Sequence, residues 1–353
     1  MSATPTVDLD DVQGLLAADQ EGLLRAASMA GAQVRATAAA IDEGVLDALR
    51  AEEPPRTVIW VAGRGTAERA GAMLAAALGG SAAAPIVVGP DAPPWIGALD
   101  VLILAGDDPG DPALLSAAAT AVRRGARVVV TAPFEGPLRD ATAGRAVVLA
   151  PRLRVPDDFG LCHYLAAGLA TLQMVDPGLR VDLAALADEL DAEALRNSAG
   201  RELFTNPAKN LADRMSGRDV VLAGDTAATL ALARHGAAML LRVAHKPVAA
   251  VGLADALVAL QNGMGAAAAQ SIFHDEEIDG PLPQRIRTVV LTTNAERPVV
   301  VARVNGFDDV DVISAEDVPD PMAPLASGHP EQQLAMMAVR LDMTAVYLRL
   351  VRG

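Results

Sequence analysis

Thr57-Val-Ile-Trp-Val-Ala62, then Gly63-Arg64-Gly65-Thr66, then Ala67-Glu-Arg-Ala-Gly-Ala-Met-Leu-Ala-Ala-Ala-Leu78 is the stretch that decides the fold. An apolar run of strand length breaks at a glycine turn and resumes with a helical period. The phrase returns as Asp219-Val-Val-Leu-Ala223, Gly224-Asp225-Thr226 and Ala227-Ala-Thr-Leu-Ala-Leu-Ala-Arg234. Each copy reads as buried strand, turn and amphipathic helix, the opening unit of a parallel α/β layer. Two copies so far apart point to two similar domains, because a solenoid would repeat every few tens of residues.

Around the first copy, strands are expected at 57–62, 85–89, 99–104, 127–131 and 146–150, with helices at 67–79 and 112–124. Around the second, strands are expected at 219–223, 248–251, 286–293, 298–303 and 310–313, with helices at 226–243 and 253–270. Short all-apolar strands alternating with helices indicate parallel sheets covered on both faces. A leading helix over 9–51, broken near Gly31, and a closing amphipathic helix from Glu331 to Val351 complete the chain. The domain plan is therefore 1–155, a helical bridge over 156–200, a second domain over 201–328 and a C-terminal helix over 329–353.

Composition narrows the function. The 353 residues suffice for two cores, and with 3% aromatics against 52% apolar residues the helices must pack through small side chains. The net charge of -15 argues against nucleic acid, whose phosphates demand a basic surface. Charged residues interrupt every apolar stretch before membrane-span length, and the start lacks a signal-peptide pattern, so a cytoplasmic protein is expected. The one cysteine, Cys162, excludes an internal disulfide.

A turn such as Gly63-Arg64-Gly65-Thr66 can cradle a phosphate, since backbone N–H groups converge where the helix dipole favours negative charge. The same glycines can serve only to make the bend. Asp107, Asp108 and Asp111, and the run His274-Asp-Glu-Glu-Ile-Asp-Gly280, read as solvated acidic loops; cation binding is the alternative, and no zinc spacing occurs. Arg242, His245 and Lys246 form a small basic group, suited to an anion or to a helix C-terminus.

The layout resembles the bifunctional phosphoglucose/phosphomannose isomerase family, built from two sugar isomerase (SIS) domains, in a divergent actinobacterial-type branch. Its local matches are Asn206-Pro-Ala-Lys-Asn-Leu-Ala212, the closing Met336 to Gly353, and Leu16-Ala-Ala-Asp-Gln-Glu-Gly-Leu-Leu24. The resemblance implies two doubly wound SIS domains with N- and C-terminal helices, a homodimer and a sugar phosphate or related small molecule as ligand, with no cofactor. The turns, the basic group and this resemblance together make Gly63, Arg64, Gly65, Thr66, Thr131, Gly224, Thr226, Arg242 and His245 the ligand-binding candidates.

The family's catalytic motifs are altered. Its Gly-Gly-Ser-Gly loop aligns with Gly63 to Thr66, its Ser-Tyr-Ser-Gly-Asn-Thr phosphate loop with Gly106-Asp-Asp-Pro-Gly-Asp111, and its Thr-Ser-Gly-Gly turn with Thr131-Ala-Pro133. Counting back from Pro247 places the glutamate base on Arg242, and the ring-opening histidine falls near Val258. A guanidinium cannot accept a proton from carbon. The expectation is a catalytically degenerate sugar-phosphate-binding protein with a role in sugar-phosphate or mannose metabolism. The alternative is an active isomerase interconverting fructose-6-phosphate with glucose-6-phosphate or mannose-6-phosphate, its base drawn from Glu276 or Glu277.

Overall fold

The computed structural model describes residues 7–50, 53–264, 286–316 and 329–352. The acidic run 274–280, with Glu276 and Glu277, and the proline-rich stretch 318–324 lie outside the described residues. The chain forms two compact units, one of residues 25–195 and one of residues 1–24 with 196–353.

The leading segment forms α1 (Val12–Ala18), α2 (Leu23–Ala27) and α3 (Ala30–Asp42). The expected break near Gly31 falls at Ser28 and Met29, between α2 and α3, and Gly31 itself lies in the first turn of α3. A Cβ there would stand 2.7 Å from the Ala187 carbonyl oxygen, so the glycine permits close packing against a neighbouring helix. A second interruption separates α1 from α2, where Asp19 accepts from the Leu23 and Leu24 amides.

α1 belongs to the second unit; the first, from residue 25, runs through α3 to β1 (Thr57–Ala62), α4 (Thr66–Leu78), β2 (Ile86–Gly89), β3 (Asp100–Ala105) and α5 (Pro112–Arg124). It closes with β4 (Arg127–Thr131), α6 (Gly136–Thr142), β5 (Ala146–Val148), α7 (Leu161–Val175) and α8 (Leu183–Arg196). The sheet order is β2-β1-β3-β4-β5, every pair parallel. Residues of β1 and β3 are buried on both faces, which explains their unbroken apolar runs. Trp60 is the largest buried side chain, and its Nε1 donates to the Ala67 carbonyl at 3.0 Å. α4 and α7 close over it through Gly71 and Gly168, where a Cβ would come within 2.4 Å of Trp60 and of Leu74 respectively. The segment 156–200, expected as a bridge, thus falls within the first unit as far as residue 195, because α7 packs on α3 and α4.

The second unit contains α9 (Pro207–Met215), β6 (Asp219–Gly224), α10 (Ala227–Arg242), β7 (Ala249–Gly252) and α11 (Leu253–Gln261). Beyond these lie β8 (Ile286–Leu291), α12 (Arg297–Val304), β9 (Val310–Ile313) and α13 (Pro330–Arg352). Its sheet is parallel in the order β7-β6-β8-β9. β6 stands between β7 and β8 as β1 stands between β2 and β3, so the repeated phrase occupies the same place in both sheets.

Two elements differ from expectation. Residues 298–303, read as a strand from their valines, belong to α12. Parallel neighbours β8 and β9 need a crossover, Pro298 suits a first helical turn, and Val300 and Val304 are buried while Val299 and Val301 are exposed. α13 is not amphipathic. It is buried on nearly all sides and packs on α9 and α10, with Arg340, Asp342 and Thr344 inside.

Candidate functional site

In a doubly wound sheet the crevice opens beyond the strand C-termini where the winding reverses, and in the first unit that point lies between β1 and β3. A cleft of about 720 Å³ opens there, lined by Gly63, Arg64, Glu68, Gly89 and Asp111 among others. The Gly63 N–H donates to the Ala105 carbonyl at 2.7 Å, tying the turn to β3. A Cβ on Gly63 would stand 3.1 Å from Asp111 Oδ2, so the two turns lie side by side. Gly65 has φ +97°, a conformation that side chains disfavour. As N-cap it offers no side-chain acceptor, and among the described residues no side chain caps the first-turn amides of α4. Arg64 is exposed at this rim, whereas Thr66 is buried and its hydroxyl faces the Asp157 carbonyl at 3.5 Å.

The acidic turn after β3 is organised internally. Asp111 caps α5, accepting from the Ala113 amide at 2.9 Å ahead of Pro112 at the helix start. Asp108 accepts from the Gly110 amide at 2.7 Å. Asp107 accepts from the Tyr164 hydroxyl, whose pKa burial and that carboxylate push well above the phenolic range. The N-terminus of α5 therefore already holds a carboxylate. No group of three potential metal ligands occurs among the described residues.

Thr131 ends β4 next to Ala105, fully buried, its hydroxyl without a hydrogen-bond partner among the described residues. The nearby His163 ring faces the Thr131 backbone and lies 3.5 Å from the Thr37 hydroxyl. Burial lowers its pKa to about 4, so the ring is neutral at physiological pH. A cavity of about 20 Å³, room for one water, is lined by His163, Gln33, Thr37 and Arg152.

The corresponding turn of the second unit is built differently. A Cβ on Gly224 would lie 2.2 Å from the Leu230 nitrogen, so α10 sits directly on the end of β6. Thr226 accepts from the Thr229 amide at 3.2 Å and Thr229 returns the bond at 2.9 Å, a reciprocal cap of α10. Asp225 accepts from both Thr229 and Thr292 hydroxyls. Arg242 and His245 lie at the far end of α10, about 24 Å away at 1.5 Å per residue. Both are exposed, His245 with φ +51°, while Lys246 is buried and donates to the Arg218 carbonyl. The nine candidates thus separate into the first-unit cleft rim, the β4 end, the second-unit turn and the opposite sheet edge. Val258 is an exposed residue of α11. Glu68, three residues beyond Gly65 in the first turn of α4, went unnoticed in the sequence; its place in that turn was the available signal.

No protein-family model and no curated protein sequence matches this chain. Solved structures do. A Clostridium difficile protein assigned as a phosphosugar isomerase superposes with a TM-score of 0.66 at 12% identity, covering 94% of this chain and 93% of its own. Tagatose-6-phosphate ketose/aldose isomerase of Escherichia coli gives 0.61 at 14% identity, with coverages of 99% and 96%. A glucose-6-phosphate isomerase-like protein of Thermus thermophilus gives 0.56 at 20% identity, with coverages of 98% and 94%. At these identities the likeness is one of fold: two SIS-type doubly wound domains over nearly the whole chain.

Proposed function

We propose that this chain is a sugar-phosphate-binding protein of SIS fold, in which the Gly63–Thr66 turn receives the phosphate and isomerisation has been lost. The carrying observation is the first turn of α4, which borders a cleft of metabolite size, has no side-chain cap and presents Arg64 at its rim. The equivalent positions at α5 and α10 are capped by Asp111 and Thr226. Glu68 and Asp111 place two carboxylates around the ligand, where they suit sugar hydroxyls and oppose a phosphate dianion, so binding is weaker than in a basic cleft. The positions that the family resemblance marks as base and ring opener carry Arg242 and Val258. A dimer of two such chains, acting in sugar-phosphate or mannose metabolism in the cytoplasm, completes the reading.

The test is calorimetric titration of the full chain with fructose-6-phosphate, glucose-6-phosphate, mannose-6-phosphate and unphosphorylated fructose, beside a coupled isomerase assay. Binding that requires the phosphate, falls at least tenfold in Arg64→Ala and comes without turnover is expected. Turnover abolished by Glu68→Gln would replace this reading with that of an active isomerase using the cleft's own carboxylate.

A further inference from the structure

The second unit contains a pocket of a different character. About 480 Å³ in volume, it lies beside β9 and is bordered by Phe204, Thr205, Asn210, Arg214, Arg297 and Arg340. In a chain of net charge -15, three guanidiniums border one pocket, and no carboxylate is among the lining residues described. The neighbouring carboxylates leave a cationic excess. Asp311 bonds Arg214 at 2.6 Å and Arg287 at 2.9 Å, while Asp309 bonds Arg218 at 2.6 Å and Arg287 at 3.2 Å. Three arginines thus share two aspartates before Arg297 is counted.

Arg340 is 2% exposed and is held by donating to the Ser314 and Ala315 carbonyls, each at 3.0 Å. Its charge is fixed in place, with side-chain entropy already lost. Arg297 has a buried Nε with no hydrogen-bond partner among the described residues, and forms no ion pair among them. A buried donor without an acceptor is costly, and an arriving anion relieves that cost by reorienting the guanidinium onto itself. Phe204 at the mouth is 88% exposed, an unusual position for a large aromatic in a chain with five phenylalanines. A flat ring stacking on it would cover it. The volume falls within the range of whole-metabolite sites and exceeds the needs of a lone anion.

We infer that this pocket binds a phosphorylated metabolite bearing a planar ring, of the nucleoside phosphate class, independently of the first-unit cleft. The arginines take the phosphate and Phe204 the base.

Calorimetric titration of the full chain with adenosine 5′-monophosphate, adenosine and inorganic phosphate tests it. The nucleotide should bind more tightly than either half alone, and saturating fructose-6-phosphate should not displace it. Arg297→Ala should weaken nucleotide binding at least tenfold and Arg297→Lys less. The surface change Phe204→Ala should weaken it about tenfold, or ~1.4 kcal/mol, while leaving inorganic phosphate unaffected. Equal affinity for phosphate and nucleotide, or loss in Arg64→Ala but not in Arg297→Ala, would overturn the inference. No binding of the nucleotide by a chain whose far-UV circular dichroism is native would also overturn it, whatever the first-unit cleft does with sugar phosphates.

Discussion

His163 ties the stability of the first unit to pH in a window that few other groups share. Its folded pKa of about 4 lies below the ordinary 6.5, because burial on α7 disfavours the imidazolium. Between those values the unfolded chain binds a proton that the folded unit refuses, so stability rises with pH there. The contribution is complete above pH 6.5 and is lost as pH falls toward 4. Integrating the linkage from pH 7 to pH 5 gives a loss of about 2 kcal/mol, a large share of a typical 5–15 kcal/mol. Both tryptophans, Trp60 and Trp95, lie in this unit, so their fluorescence follows its unfolding in urea. Wild type and His163→Gln are compared at the two pH values and constant ionic strength. Glu43, held below the usual carboxylate range by Arg152, titrates below this window in both proteins. The wild type should lose about 2 kcal/mol more than the variant. Equal losses, or a His163 resonance titrating near 6.5, would refute the reasoning.

Two further outcomes follow from the turns. Thr226→Ala removes the reciprocal cap of α10 and should cost about 0.5–2 kcal/mol in urea unfolding while leaving sugar-phosphate affinity unchanged, which titration of the same variant checks. Glu68→Gln removes a negative charge beside the proposed phosphate. At roughly 6 Å in water-like surroundings each unit charge on the ligand gains about 0.7 kcal/mol, so the dissociation constant for fructose-6-phosphate should fall several-fold, an effect that high salt suppresses.

The strands were readable because burial on both faces leaves a local trace: the unbroken apolar runs of β1, β3 and β6 have no other economical reading. Val299, Val300 and Val301 misled for the same reason. β-branched residues favour strands locally, and only the topological demand for a crossover between β8 and β9 makes a helix of them. Gly63, Arg64 and Gly65 could be found as a turn, but whether a turn is open depends on what caps the helix after it. Asp111, Thr226 and Thr229 closed two such turns through side-chain geometry that spacing does not encode. The arginine pocket left no trace at all, since Arg214, Arg297 and Arg340 meet only through folding.

The division of the chain also sets an order of events during synthesis. Residues 25–195 are continuous, so the first unit has all its parts soon after its last helix emerges. The second does not. Its α1 is made at the beginning and packs against α13, which is made at the end. At about 5–20 residues per second, the roughly 300 intervening residues separate them by on the order of 15–60 s. Throughout that interval α9 and α10 lack the buried helix that packs on both, with Ala208 and Gly236 missing their Thr344 and Leu341 neighbours. Ribosome-bound chains truncated before residue 330 should therefore carry a protease-resistant first unit and a second one that chaperones still hold.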